Sequence, residues 1–395
     1  MYLIRRAKLD DVSTLLKLAR MVYFINLPPD KDIIAEKIRR STSSFLAAAE
    51  HPDDGGNESP SGAGSAHASK RRRPEAAVRE KSASANSPIF MFCIEDVQTG
   101  NCLGTSSIIS KMGGPGHPNL SLQMRSREFF SRDLQQGVKH ITAQLHLDET
   151  SPTEIGGLIL QPSMRGHPQK IGKQLSIARF HFVGLYRRWF SDRVIAEMMG
   201  PITPDGNNTL WEYFGRRFIN LSYAEADKFC QYSREFMTSL LPREEIYLTL
   251  LPPEARALIG QVGADTQPAR RMLEEIGFKA HDKVDPFDGG PQLECPTDDI
   301  TLVSATRRLE FAGICTADEA TSSGFVSTMH ADGDFRMLHT PFAADGGTIR
   351  VPRDQAAVLG AQAGMTVGAT PLDLGPKRGA HAERGRARHD APAGA

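Results

Sequence analysis

At 395 residues the chain is long enough for more than one domain, and its 47 lysines and arginines balance 47 aspartates and glutamates. That neutrality excludes a global field for nucleic acid or an anionic membrane, and no run reaches membrane-spanning length. Five scattered cysteines without ligand-like pairs argue for a reduced, cytoplasmic setting and against a zinc site.

Leu3 and Ile4 open a strand. Asp10 or Asp11 is a fitting cap for a first helix that shares Val12, Leu15, Leu16, Ala19 and Val22 on one face. After Pro28-Pro29, Asp30 opens a second helix carrying Ile33, Ile34, Lys37 and Ile38. From His51 to Pro88 large apolar residues nearly vanish, so disorder is expected across residues 51–88; its Lys70-Arg71-Arg72-Arg73 run reads as solvated charge or as a nucleic-acid arm or nuclear signal. Phe90 to Glu95 and Leu103 to Ile109 pair across the turn Gln98-Thr99-Gly100-Asn101, and Ser121 to Met124 and Leu145 to Leu147 are short strands.

Leu158-Ile159-Leu160 is a buried strand leading into a loop rich in glycine and cations: Arg165, Gly166, His167, Lys170, Gly172 and Lys173. Ile171, Leu175, Ala178, Phe182, Leu185 and Trp189 then recur at helical spacing. A cationic turn at a helix N-terminus suits a pyrophosphate. Read alone it suits a solvated connector equally well.

Val194 to Met199 is a strand holding Glu197 in an apolar run, a carboxylate that needs a partner or a task. Helices are expected over Asn208 to Phe218, through Ala224, Phe229, Phe236 and Leu240, after Pro252, and over Pro268 to Ile276, with Ile246 to Leu251 a strand. Asp285-Pro286-Phe287-Asp288-Gly289-Gly290-Pro291 is a tight loop. Phe325 to Leu374 reads as short strands with one helix at Gln355 to Leu359, and a disordered tail is expected over residues 375–395.

This order of elements resembles that of the acyl-CoA N-acyltransferases. Five blocks, in order, resemble the arginine N-succinyltransferase family more specifically: Ile195-Ala196-Glu197-Met198; Leu210-Trp211-Glu212 with Gly215-Arg216-Arg217-Phe218; Ile259-Gly260-Gln261-Val262; Pro268-Ala269-Arg270 with Gly277-Phe278; and Phe287-Asp288-Gly289-Gly290-Pro291 with Leu293-Glu294-Cys295. The resemblance implies an α/β (α+β) fold with a mixed, mostly antiparallel sheet flanked by helices. Residues 1–50 and 89–300 would form the catalytic domain and residues 301–374 a small β-rich module. It implies transfer of a succinyl group from succinyl-CoA, a co-substrate, to the α-amino group of arginine or ornithine in arginine breakdown, with no tightly bound cofactor. Partners would be these small molecules and related subunits in a homo- or hetero-oligomer. A relative with another acyl donor or amine acceptor, or a non-catalytic CoA-binding subunit, is the alternative.

The implied cofactor contacts are Leu158, through its backbone at the thioester, and Arg165, Gly166, Lys170, Gly172 and Lys173 around the pyrophosphate. Two features depart from the family. The loop from Arg165 to Gly172 is two residues longer than Arg-x-x-Gly-x-Gly, with Lys170 at the first glycine's place, and Gly263 stands where relatives carry a proton-donating histidine. Direct acyl transfer needs an oxyanion donor and a base. Glu197 is the candidate base, or a buried carboxylate paired with an arginine, and Asp288 is a second catalytic candidate. Asp285, Asp288 and Glu294 suit the substrate guanidinium. His281 would be a substitute donor or an ordinary surface histidine, and Arg125, Arg179 and Arg216 are the candidates for the succinyl carboxylate.

Overall fold

The computed structural model describes residues 1–21, 27–52, 87–230 and 233–372. Val22, the basic run at Lys70 to Arg73, nearly all of the segment 51–88 and the tail 375–395 lie outside the described residues.

In chain order the strands are β1 (Tyr2–Arg6), β2 (Ile89–Asp96), β3 (Cys102–Ile109), β4 (Asn119–Ser131), β5 (Gln136–Asp148), β6 (Thr153–Leu160), β7 (Arg193–Glu197), β8 (Ile246–Tyr247), β9 (Lys279–Val284), β10 (Pro291–Pro296), β11 (Arg307–Ile314), β12 (Ser322–Met329), β13 (Phe335–Asp345), β14 (Thr348–Val351) and β15 (Thr366–Pro371). The helices are α1 (Val12–Arg20), α2 (Lys31–Glu50), α3 (Ile171–Leu185), α4 (Thr209–Tyr213), α5 (Gly215–Phe218), α6 (Tyr223–Cys230), α7 (Glu235–Leu240), α8 (Pro253–Arg256), α9 (Gln267–Glu275), α10 (Thr301–Ala305) and α11 (Arg353–Leu359). All the strands join one sheet, in the order β12-β15-β11-β14-β13-β1-β2-β3-β6-β7-β10-β9-β4-β5-β8. Pairing is antiparallel except at β6–β7 and β11–β14.

Alternation on β2 shows how the layers form. Phe90, Phe92 and Ile94 pack with Phe180 and Phe182 of α3, whereas Ile89, Met91 and Cys93 pack with Leu15 of α1 and Ile34 and Ile38 of α2. Asp30 caps α2 as expected, accepting from the N–H groups of Asp32 (2.9 Å) and Ile33 (3.1 Å). The expected cap of α1 is corrected: Asp11 is buried and holds Arg5 through both oxygens, at 2.8 and 2.9 Å, and makes no cap to the helix. A charged hydrogen bond to a buried guanidinium outweighs a cap.

The C-terminal strands curl into a closed ring, because β12 pairs with β13 as well as with β15. Its interior holds Phe311, Val326, Leu338, Phe342, Ile349, Val351 and Val367. The ring begins at β11, earlier than Phe325, and is continuous with the main sheet, since β13 also pairs with β1. Helix α3 leans on it: His181 bonds Thr370 and Ser327, each at 2.6 Å, and burial lowers its pKa to about 3, so it buttresses as a neutral ring.

The expected short strands at Ser121 to Met124 and Leu145 to Leu147 are the roots of a long hairpin, β4–β5, whose tip exposes Phe129, Phe130 and Leu134. The expected helix over Asn208 to Phe218 breaks at Phe214 into α4 and α5, and the one expected through Ala224 and Phe236 is two helices, α6 and α7.

Candidate active site

Strands β6 and β7 are held together over two registers only, Thr153 opposite Val194 and Glu154 opposite Ile195. Beyond them β6 follows β3 and β7 follows β10, so the two strands splay apart. The cavity in this splay encloses about 170 Å³. One wall is the β6 backbone from Ile155 to Leu158, and the other runs from Ala196 to Met199. Helices α3, α6, α7 and α9 and the loop from Asp285 to Asp288 complete it.

The β6 wall carries a bulge. Opposite Thr105 and Ser107, β6 advances from Ile159 to Gly156, one residue more than β3, leaving Gly157 and Leu158 without ladder partners there. Gly157 has φ +59°, and a Cβ on it would lie 2.9 Å from Ser107 Oγ. A bulge takes backbone groups out of the ladder and re-aims them, and both residues line the cavity. Leu158, the residue expected at the thioester, therefore lies on this wall.

The facing wall is acidic. Glu197, at the end of β7, accepts from Asn119 Nδ2 at 3.2 Å. Asp285 turns its Oδ1 back onto the N–H groups of Phe287 (2.7 Å) and Asp288 (3.2 Å). Asp288 is buried and accepts from the N–H groups of Gly290 (2.8 Å) and Gly200 (2.9 Å). Burial raises the Asp285 carboxyl well above the usual carboxylate range, and the charges of Asp288 and Glu197 add to it. Burial also raises Asp288, against its two backbone bonds, to about 6. Asp227 of α6 is raised to about 6 by burial, and its Oδ1 meets no hydrogen-bond donor.

Arg234 stands among these carboxylates, with one Nη 3.3 Å from Asn119 Oδ1. Burial pulls its pKa down, but Glu197, Cys230, Glu154 and Asp285 lift it above the ordinary arginine range. Like charges crowded in a water-poor wall resist ionisation together, and a cationic ligand would relieve them.

Sequence reasoning missed Tyr223, Cys230 and Arg234, which line the cavity. Tyr223 and Cys230 do recur at helical spacing. Polar positions on a short helix otherwise read as surface, and only the packing of α6 over the cavity turns them inward.

A family model for the arginine N-succinyltransferase beta subunit matches residues 64–302. The chain belongs to that family. Arginine N-succinyltransferases of Enterobacter sp. (strain 638) and Escherichia coli (strain K12 / DH10B) are each 34% identical over 224 residues, 56% of this chain and 64% of the relative. The match therefore spans just under two thirds of those relatives' length. The solved arginine/ornithine succinyltransferase subunit AI from Pseudomonas aeruginosa superposes with a TM-score of 0.72 at 24% identity, over 94% of this chain and 98% of that one. The chain therefore shares the α/β fold of that subunit.

Other residues expected from the arginine N-succinyltransferase resemblance fall on either side of the cavity's boundary. Glu294 does not line it: its carboxylate binds Arg193 at 2.8 Å, with His281 at 3.6 Å and Lys283 at 3.9 Å. On β10 it alternates with Leu293 and Cys295, which are buried in the core. His281 stays with this surface cluster. Arg165 and Lys173 are exposed and paired with Asp265 and Glu275. The loop between β6 and α3 has two left-handed residues, Gly166 at φ +72° and Lys170 at φ +50°. Lys170 is the residue before α3, so the backbone there does require the conformation in which the family's glycine is at ease. Gly263 donates to Met199 O at 2.9 Å, and a Cβ on it would stand 3.0 Å from Gly200 O, so a histidine there would need this loop to shift. Among the described residues no helix is long and apolar enough to cross a membrane.

Proposed function

We propose that this chain transfers the succinyl group of succinyl-CoA to the α-amino group of arginine, with ornithine a second acceptor. The observation that carries this reading is the acidic wall facing the glycine bulge across the splay of β6 and β7. A thioester arm laid along β6 and the amine of a cationic substrate held by Asp285, with its nitrogen facing Glu197, would meet there. The family membership and the names of the relatives point the same way.

In this reading the backbone at Leu158 donates to the thioester oxygen as it gains charge. The amine nitrogen, having lost a proton to Glu197, attacks the carbonyl carbon; the C–S bond then breaks, and the departing thiolate takes up the second proton that the nitrogen sheds as the amide forms. Asp285 faces the guanidinium. Asp288, fixed by Gly200 and Gly290, shapes the loop. Arg165, Gly166, Lys170, Gly172 and Lys173 surround the pyrophosphate at the start of α3, where unpaired N–H groups favour anions. Purified protein should release free thiol from succinyl-CoA only when arginine or ornithine is added. No release across a panel of basic amino acids and acyl-CoAs would refute the reading.

The loop offers a second test. A non-glycine residue in the left-handed region costs about 1 kcal/mol, so Lys170→Gly should raise the Tm of the free protein by about 1 °C. The same change removes an exposed cation and should weaken CoA binding by roughly 3–10-fold in calorimetry. A lower Tm would show that the Lys170 backbone is not strained.

A further inference from the structure

We propose that Arg179 reads the far end of the acyl group: its guanidinium receives a terminal carboxylate and restricts the donor to dicarboxylic acyl thioesters. This deepens the acyl-transfer reading above and rests on it for the placement of the thioester.

Arg179 is 3% exposed and lines the cavity, yet among the described residues it meets no carboxylate within ion-pair distance. Its hydrogen-bond partners among the described residues are neutral: Nε donates to Ser176 O (2.8 Å), Nη2 to Ser176 Oγ (3.0 Å) and Nη1 to Gly156 O (3.4 Å). A guanidinium has five N–H groups in a planar fork, so one on each terminal nitrogen is left over, matching the two oxygens of a carboxylate. A buried charge without a counter-ion is costly in the free protein and inexpensive once an anion arrives. Burial lowers its pKa to about 9, which still leaves it charged at neutral pH.

The other cations are committed. Arg125 binds Glu245 (3.0 Å), Arg216 binds Glu212 (2.7 Å), and both are at the surface. Arg234, inside the cavity, already faces acidic groups. Position agrees as well. From the loop after Leu160, β6 runs back to the bulge at Gly157 and Leu158, and Gly156, which Arg179 touches, is the next residue inward. An acyl chain continuing past a thioester at the bulge would meet this fork.

The test compares binding of succinyl-CoA with that of butyryl-CoA, which has the same chain length and a methyl in place of the carboxylate. Calorimetry on the full chain should show the wild type preferring succinyl-CoA by ~100-fold. Arg179→Met should erase that preference by weakening succinyl-CoA while leaving butyryl-CoA within ~3-fold; Arg179→Lys should restore ~10-fold of it. Equal affinities in the wild type, or equal weakening of both donors by Arg179→Met, would overturn the assignment. If Arg179→Met does not fold, the wild-type preference and the Lys variant decide. Turnover is read separately. Discrimination in binding without arginine-dependent thiol release would retain Arg179 and refute the transfer reading; release without discrimination would do the reverse.

Discussion

Gly290→Ala should destabilise the protein by at least ~3 kcal/mol and abolish arginine-dependent turnover. A Cβ at Gly290 would lie 1.8 Å from Met198 O, 2.7 Å from Gly200 N and 2.9 Å from Asp288 Oδ1. Two of these are backbone atoms that cannot swing aside. The contact closes a knot of short loops. Asp285 N donates to Gly290 O (2.8 Å), Met198 N to Pro291 O (3.1 Å), Gly260 N to Gly289 O (2.8 Å) and Gly263 N to Met199 O (2.9 Å). Asn208 Nδ2 adds bonds to Pro201 O (3.1 Å) and Asp288 O (3.3 Å). Pushing Gly290 away from Met198 would move Asp285, Asp288 and the end of β7 together. Thermal unfolding and thiol release measure the two effects. Gly137→Ala on the exposed hairpin, where a Cβ meets only Phe130 at 3.7 Å and Phe129 O at 3.8 Å, is the control and should stay within about 0.5 kcal/mol. A Gly290→Ala protein as stable and active as the wild type would show that this loop is not packed as described.

Local signals in the chain explain why that loop could be recognised without coordinates. Two glycines, two prolines and two carboxylates between apolar runs are dictated by short-range sterics, and short-range sterics are legible. So are α2, with Asp30 at its head, and α3, whose apolar spacing follows the core. Asp11 was misread because its competing partner, Arg5, is a charge brought beside it by the fold rather than a neighbour along a helix. The β4–β5 hairpin reads as two short strands because the apolar Phe129 and Phe130 are neighbours that point to opposite faces of an exposed ribbon, where burial no longer distinguishes the faces. The ring of C-terminal strands depends on β12 pairing at both edges, which no local pattern encodes.

At the site, the sequence singled out residues proposed to act through their backbone or through unusual placement. Glu197 stood out as a charge in an apolar strand, and Leu158 through the family resemblance. Glu294 appeared equally good, but strand parity turns it toward Arg193. Arg234 went unseen because it stands just before the short helix α7, and only the fold brings that turn onto the cavity.

Glu197→Gln should lower kcat by ~10²–10⁴-fold while the KM for arginine changes little. The substitution keeps the shape and an acceptor oxygen for Asn119 Nδ2 but cannot take a proton. The Asp285 and Asp288 carboxyls are raised by burial and by neighbouring charge, so they are partly protonated in mild acid, and both ionise more fully as a cation binds. Arginine affinity should therefore rise with pH in both proteins, through the region near 6 in the wild type and at lower pH in the variant, because Glu197→Gln keeps both aspartates but removes a charge that raises them. The two proteins should part at higher pH. Once the acceptor amine is free in solution, above about pH 8–9, it needs no base, so the variant's kcat should climb there and recover part of the loss. A merely structural role predicts the same fractional loss at every pH. Asp285→Asn separates the binding role, with an expected rise in arginine KM of ~10-fold or more and a smaller change in kcat. A kcat deficit of Glu197→Gln that stays constant up to pH 9 would remove Glu197 as the base and leave a water chain through the acidic wall to carry the proton.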